Sequence, residues 1–137
     1  MAADIRKVTD SFSVAPQIGP EDVQTAKAQG FVKLINNRPD GEVPGQPSSA
    51  EMEAAARAAG LGYVHIPFVG RPSPEQAEAV AREAEAGGGP VLAFCRSGTR
   101  SITAWSLGQA QAGRSSPREL VALAAGAGYD LAPILGS

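Results

Sequence analysis

The sequence contains only one cysteine and one histidine among its 137 residues. A single cysteine cannot form a disulfide within the chain, and one cysteine with one histidine falls short of the usual number of zinc ligands. We therefore expect neither a metal ion nor a cofactor. Any covalent chemistry of the thiol must end on a second molecule.

Long apolar runs and a strong charge of one sign are also absent. The apolar stretches are far shorter than the roughly 18 residues of a membrane span, and the net charge is −2. A nucleic-acid backbone calls for a basic protein face, so we expect neither membrane insertion nor nucleic-acid binding. The first ten residues lack a basic segment followed by an apolar one, which favours a cytoplasmic location. The length and a hydrophobic content of 43% predict a single globular domain over residues 1–137.

Short apolar runs alternate with helix signals along the chain. Strands are predicted at FVKLIN (31–36), GYVHIP (62–67) and VLAF (91–94), with a weaker strand around SFSVA in the first fifteen residues. Helix starts are predicted at four capping sequences, which begin at Gly19, Ser48, Ser73 and Ser116. This alternation predicts an α/β fold whose mainly parallel sheet has about four to five strands and carries helices on both faces. Ligands bind such sheets beyond the carboxyl ends of the strands.

The only cysteine lies at one of those ends, in the segment CRSGTRS (95–101). The residues after Arg100 can form a helix, so Cys95 begins a strand-to-helix loop. Ser97, Gly98 and Thr99 are small enough for successive backbone N–H groups to turn inward. Such a nest at a helix N-terminus binds anions.

The same groups favour an ionised thiol. Inward N–H groups, the positive helix end and an inward-pointing Arg96 or Arg100 would lower the pKa of Cys95 from a free value of about 8.5. We therefore expect Cys95 to be exposed at the bottom of a ring of amides and ionised near neutral pH. The planar guanidinium of Arg100 could bind two oxygens of a tetrahedral anion. Ser101, in the first turn of the helix, is predicted to hydrogen-bond to the thiolate.

The loop has two known counterparts. CRSGTRS resembles the active-site loop of single-domain rhodaneses, which are sulfurtransferases. It also resembles the loop of cysteine-dependent phosphatases, in which five residues separate the cysteine from the arginine, whereas four residues separate Cys95 from Arg100. In related loops the hydroxyl that follows the arginine assists the departing cysteine, which would be the role of Ser101.

A wider resemblance covers nearly the whole chain. Through FSVAPQIGPEDV, GFVKLINNRPDGE, YVHIPF and FCRSGTRS, the chain is similar to the phosphatase-like domain family of beta-lactamase hydrolase-like proteins. This resemblance implies a dual-specificity-phosphatase-like and rhodanese-like fold. Members of the family occur fused to, or encoded near, sulfur-oxidising enzymes of the metallo-beta-lactamase fold.

Two departures from the phosphatase pattern rank sulfur transfer first. In the phosphatases that the chain resembles, a general acid follows the HIP strand by a few residues, but HIPFVGRPSPEQ has no carboxylate before Glu75. The loop is also one residue shorter. We therefore predict a sulfurtransferase whose Cys95 takes a sulfane sulfur from thiosulfate or a persulfide and passes it to an external thiol. A persulfide dioxygenase or a sulfide oxidoreductase is the expected partner.

Two alternatives stand beside this prediction. The first is a phosphatase that acts through a Cys95 phosphocysteine intermediate. The second is a non-catalytic module that binds an oxyanion or senses redox state through oxidation of the thiol.

Four residues outside the loop are weaker candidates for the rim of the site. Arg38 and Asp40 lie in a turn, where a local Arg38–Glu42 pair is the simpler interpretation, although Asp40 could reach the site as an acid. His65 lies on a strand and is predicted to form a hydrogen bond beneath the site. Arg71 either attracts anionic substrates at the rim or is solvated.

Overall fold

The computed structural model describes residues 4–136 of the chain. At its centre is a five-stranded sheet with the spatial order β1-β2-β5-β3-β4. In chain order the strands are Arg6–Thr9, Phe12–Ala15, Lys33–Asn36, Gly62–His65 and Val91–Phe94. β1 pairs antiparallel with β2, and the other neighbouring strands are parallel. The predicted α/β fold with a mainly parallel sheet is confirmed.

Helices cover both faces of this sheet. One face packs against α1 (Val23–Ala28) and α2 (Ser49–Ala58). The other packs against α3 (Pro74–Glu85), α4 (Thr99–Gln111) and α5 (Pro117–Gly126), and the short α6 (Ala132–Leu135) follows α5. No helix among residues 4–136 combines the length and the apolar character needed to cross a bilayer.

The central strand β5 connects the two hydrophobic cores. Its side chains alternate between faces because successive strand residues point in opposite directions. Leu92 and Phe94 pack with α1 and α2, whereas Val91 and Ala93 pack with α3, α4 and α5. All four residues are fully buried, so the strand that carries the cysteine at its end is fixed on both sides.

Helix starts were predicted well where a serine caps the helix. The hydroxyls of Ser48, Ser73 and Ser116 each accept a hydrogen bond of 3.1 Å from the backbone N–H three residues later. The start at Gly19 differs, because a 3₁₀ turn (Pro20–Asp22) precedes α1. Strand β1 was not predicted, since it is a short edge strand in which only Val8 is buried.

The helix that follows the cysteine loop is held close to α3. A Cβ atom added at Gly108 of α4 would lie 2.3 Å from the carbonyl oxygen of Ala77 and 2.7 Å from the Cβ atom of Ala81. At the same face Trp105 stacks on Phe12, with 4.8 Å between the ring centroids. Residues of α3 and β2 therefore fix the position of α4, whose first turn carries Arg100.

Candidate active site

The cysteine loop lies at the carboxyl edge of the sheet, between β5 and α4. Gly98 caps the helix with a φ of 92°, a left-handed conformation that favours glycine. A Cβ atom at this position would also lie 2.2 Å from the hydroxyl oxygen of Tyr129. Backbone conformation and close packing thus both require glycine at position 98.

The cysteine itself is covered, contrary to our expectation of an exposed sulfur. Cys95 has 0% of its surface exposed. The backbone N–H of Gly98 donates to Sγ at 3.1 Å, and within residues 4–136 no other backbone amide donates to the sulfur. Arg100 and Tyr129 both lie near the sulfur. Instead of the predicted ring of several amides, one backbone amide among the described residues donates to the sulfur, and the guanidinium of Arg100 lies nearby.

Arg100 is fixed by groups from two other loops. Its Nη1 and Nη2 each donate to one oxygen of Glu42 at 2.8 Å, and Nη1 also donates to the carbonyl oxygen of Phe68 at 3.1 Å. These bonds to Glu42 raise the pKa of Arg100, with a smaller contribution from the nearby Cys95. Only 17% of the Arg100 side chain is exposed. The guanidinium is therefore held in one orientation beside the sulfur.

Glu42 forms ion pairs with two arginines, and the sequence predicted only one of these pairs. Arg38 Nε donates to Glu42 at 2.8 Å, which is the local pair that the turn suggested. The hydrogen bonds from Arg100 and Arg38 lower the pKa of Glu42 from 4.5 to about 2. Arg38 is itself buried and donates to Gln17 Oε1 at 3.2 Å. Glu42 is thus an ionised anchor, and its bond to Arg100 had no local signal because the two residues are 58 positions apart in the sequence.

Contrary to the prediction, Ser101 does not hydrogen-bond to the sulfur of Cys95. Its buried hydroxyl donates to Asn37 Oδ1 at 2.8 Å, because Asn37 lies at the end of the neighbouring strand β3. Asn37 in turn donates to the carbonyl oxygen of Ile66 at 3.0 Å. Ser101 therefore ties the first turn of α4 to the β3 and β4 loops. Its position directly after a predicted strand was the signal that could have identified Asn37.

The other loop residues lie on the outer side. Arg96 is exposed, and within the described chain its side chain makes no hydrogen bond or ion pair. Ser97 Oγ donates to Thr99 Oγ1 at 3.0 Å, and both residues are exposed. The hydroxyl of Tyr129 donates to the carbonyl oxygen of Ser97 at 2.9 Å. Of the two arginines in the loop, Arg100 is the one that the fold holds near the sulfur.

The rim candidates separate into different roles. Asp40 Oδ1 accepts a hydrogen bond of 2.7 Å from the backbone N–H of Ser49 at the start of α2, which uses this carboxylate away from the cysteine loop. His65 Nε2 lies 2.8 Å from the carbonyl oxygen of Arg38 and supports the turn that carries Glu42. Arg71 is exposed and lines a groove together with Arg100. Among residues 4–136, no three histidine, cysteine or acidic side chains come together as a metal site.

Comparison with known proteins identifies the family. The phosphatase-like domain of beta-lactamase hydrolase-like proteins matches residues 4–112. The chain belongs to this family. Its resemblance, seen first in the sequence motifs, is therefore confirmed.

Relatives of known sequence are much longer than this chain. A beta-lactamase hydrolase-like protein of Agrobacterium fabrum is 39% identical over 128 residues, which are 91% of this chain and 29% of that protein. One from Xylella fastidiosa is 34% identical over 125 residues, with 90% and 29% covered. The chain therefore spans less than a third of the length of these relatives.

Solved structures of similar proteins agree with this assignment. A candidate phosphatase of Neisseria meningitidis is 29% identical, with a TM-score of 0.84 and coverage of 96% of this chain and 94% of that one. A candidate phosphatase of Shewanella putrefaciens, 19% identical, has a TM-score of 0.70 with 93% of each chain covered and shares the fold. The scaffold is phosphatase-like.

Proposed function

We propose that this domain is a cysteine-dependent phosphatase that hydrolyses phosphate monoesters through a Cys95 phosphocysteine. The observation that carries the proposal is the set of donors left on Arg100 beside the cysteine. A guanidinium has five N–H groups. Three of them bind Glu42 and Phe68. The remaining two, on Nε and Nη2, lie on one edge of the planar group and form a fork that matches two oxygens of a phosphate.

The chemistry follows from the positions of Cys95 and Arg100. The thiolate attacks phosphorus, a sulfur–phosphorus bond forms, and the ester oxygen leaves with its electron pair. Water then attacks the phosphocysteine and releases inorganic phosphate and the thiolate. Arg100 stabilises the charge on the phosphoryl oxygens in both steps. Because Sγ is fully buried in this structure, anion binding must be accompanied by a loop movement that exposes it.

Protonation of the leaving group is the step for which we find the weakest candidate residues in the described part of the chain. Glu42 is bonded to two arginines and stays ionised down to a pH of about 2, so it is not a general acid. Asp40 is bonded to the start of α2. A substrate whose leaving group departs as a stable anion needs no such acid. We therefore infer that the preferred substrates are esters of acidic hydroxyls, such as aryl phosphates.

Sulfur transfer was the first-ranked prediction, and the comparisons favour phosphate instead. The matching family and the similar solved structures are described as phosphatase-like, and none of the relatives described above is named a sulfurtransferase. The spacing of four residues between Cys95 and Arg100 and the missing general acid after the HIP strand are the observations that still favour sulfur. They make sulfur transfer the second candidate, with the partners suggested by the sequence as part of that proposal.

One experiment decides between the candidates. The purified chain is offered an aryl phosphate, thiosulfate with cyanide, and glutathione persulfide in parallel, with Cys95→Ser as the control. We expect cysteine-dependent release of phosphate that exceeds sulfur transfer. Faster sulfur transfer would reverse the order of the two candidates. Anion binding without turnover of any substrate, retained in Cys95→Ser, would support a binding or redox-sensing module.

A further inference from the structure

A groove of about 320 Å³ lies beside the cysteine loop. Its lining comes from three parts of the chain: the loop after β4, the first turns of α4, and α6. The lining residues are Gly70, Arg71, Thr99, Arg100, Thr103 and Ile134. Because Arg100 belongs both to this lining and to the proposed anion site, the groove adjoins the position proposed for the phosphoryl group.

The lining combines an apolar surface with a free positive charge. Ile134 supplies apolar contact area. Val69, next to Gly70, has 74% of its surface exposed, which is unusual for a large apolar side chain. Arg71 is exposed, and within residues 4–136 it forms neither a hydrogen bond nor an ion pair. The groove thus offers one cation at the end of an apolar surface.

We propose that this groove binds the leaving group of the substrate, an aromatic ring that carries a carboxylate or a similar anionic substituent. The proposal rests on the proposed phosphatase function and names its substrate class. The volume is at the lower end of the range for small-molecule sites, which is sufficient for one ring. The ring would contact Ile134, and the substituent would pair with Arg71. Thr103, whose buried hydroxyl lacks a partner in the described chain, is a polar group within the same lining.

Chemistry at the reacting bond supports the same substrate class. Glu42 and Asp40 both serve as structural anchors, so the leaving group must be a good one. A phenolate leaves more readily than an alkoxide because the ring delocalises its charge. The apolar lining of the groove and the need for a good leaving group thus favour an aryl phosphate ester independently of each other.

The test uses a matched pair of ligands, 4-(carboxymethyl)phenyl phosphate and its methyl ester. The methylene group insulates the reacting oxygen from the substituent, so the two esters have nearly the same intrinsic reactivity. Binding is measured by calorimetry with Cys95→Ser, which does not turn the ligands over, and kcat/KM is measured with the wild-type chain. Each measurement is repeated after Arg71→Gln and after Arg118→Gln, which removes an exposed arginine on α5.

We expect the carboxylate to bind about three- to fivefold more tightly than the methyl ester, which is the effect of one exposed ion pair. Arg71→Gln should abolish this difference in both assays, and Arg118→Gln should leave it unchanged. Equal affinities, or a preference that survives Arg71→Gln, would overturn the proposal. A binding preference that depends on Arg71 in a chain without phosphatase activity would retain the groove and reject the proposed reaction.

Discussion

Replacement of Glu42 by glutamine tests whether Arg100 must be held in place from outside the loop. Glu42 accepts three charge-assisted bonds, two from Arg100 and one from Arg38, each of 2.8 Å. Such bonds contribute about 1.5–3 kcal/mol each when well shielded. The Glu42 side chain is 23% exposed, so solvent screens these bonds. We therefore expect the substitution to lower the free energy of unfolding by about 2 kcal/mol for all three bonds together.

The effect on catalysis should separate kcat from KM. Without its anchor the guanidinium gains rotational freedom, and holding such a side chain costs about 0.5–1.5 kcal/mol. We therefore expect kcat to fall about two- to tenfold. The lost negative charge makes the site more positive, so KM for an anionic substrate should not rise. Both constants are obtained from steady-state hydrolysis of 4-nitrophenyl phosphate.

The control is Glu53→Gln, which removes an exposed carboxylate paired with Arg57 on α2. This variant should retain wild-type kcat and lose little stability. If Glu42→Gln also retains the wild-type kcat while its melting temperature falls, Glu42 supports the fold alone. The orientation of Arg100 would then have another source, and our account of the site would be wrong.

Three further predictions concern pH, the loop and the helix contact. Folding lowers the pKa of Glu42 from 4.5 to about 2, so its contribution to stability is complete above pH 4.5 and should disappear as the pH falls toward 2. Urea unfolding of the wild type and of Glu42→Gln should therefore give free energies of unfolding that converge over this pH range. Tyr129→Phe removes the bond to Ser97 and should speed alkylation of Cys95 about two- to tenfold, as followed by mass spectrometry; an unchanged rate would mean that Tyr129 does not restrain the loop. Gly108→Ala should destabilise the chain by about 1–3 kcal/mol because the new methyl group meets Ala77. Gly126→Ala, where nothing lies within 4 Å, should not, and equal melting temperatures for the two variants would contradict the close packing of α3 and α4.

Local signals explain most of what the sequence predicted about the fold. Capping serines act within three residues, so Ser48, Ser73 and Ser116 marked helix starts reliably. Strand β5 is buried along its whole length and forms a continuous apolar run, VLAF. Strand β1 lies at the edge and has a mostly polar sequence, RKVT, so neither signal was present.

The site was predictable only in its local part. The turn suggested the Arg38–Glu42 pair because Glu42 comes only four positions after Arg38. By contrast, the groups that bury Cys95 and orient Arg100 come from distant parts of the chain, such as Tyr129 after α5 and the carbonyl oxygen of Phe68. An exposed sulfur was expected because only the loop could be considered. The burial of Cys95 depends on the tertiary fold, which no local pattern reports.

The same geometry weakens the argument from loop length that favoured sulfur transfer. A shorter spacing matters if the loop alone determines where the arginine points. Here Arg100 is oriented by Glu42 and by the carbonyl oxygen of Phe68, which lie 58 and 32 residues away in sequence. A loop with four intervening residues can therefore present the same two-donor edge to a phosphate as a longer loop. The choice between sulfur and phosphate chemistry then depends on the leaving group rather than on the spacing. An aryl oxide can depart without a general acid, so an aryl phosphate is a suitable substrate for the site in this fold.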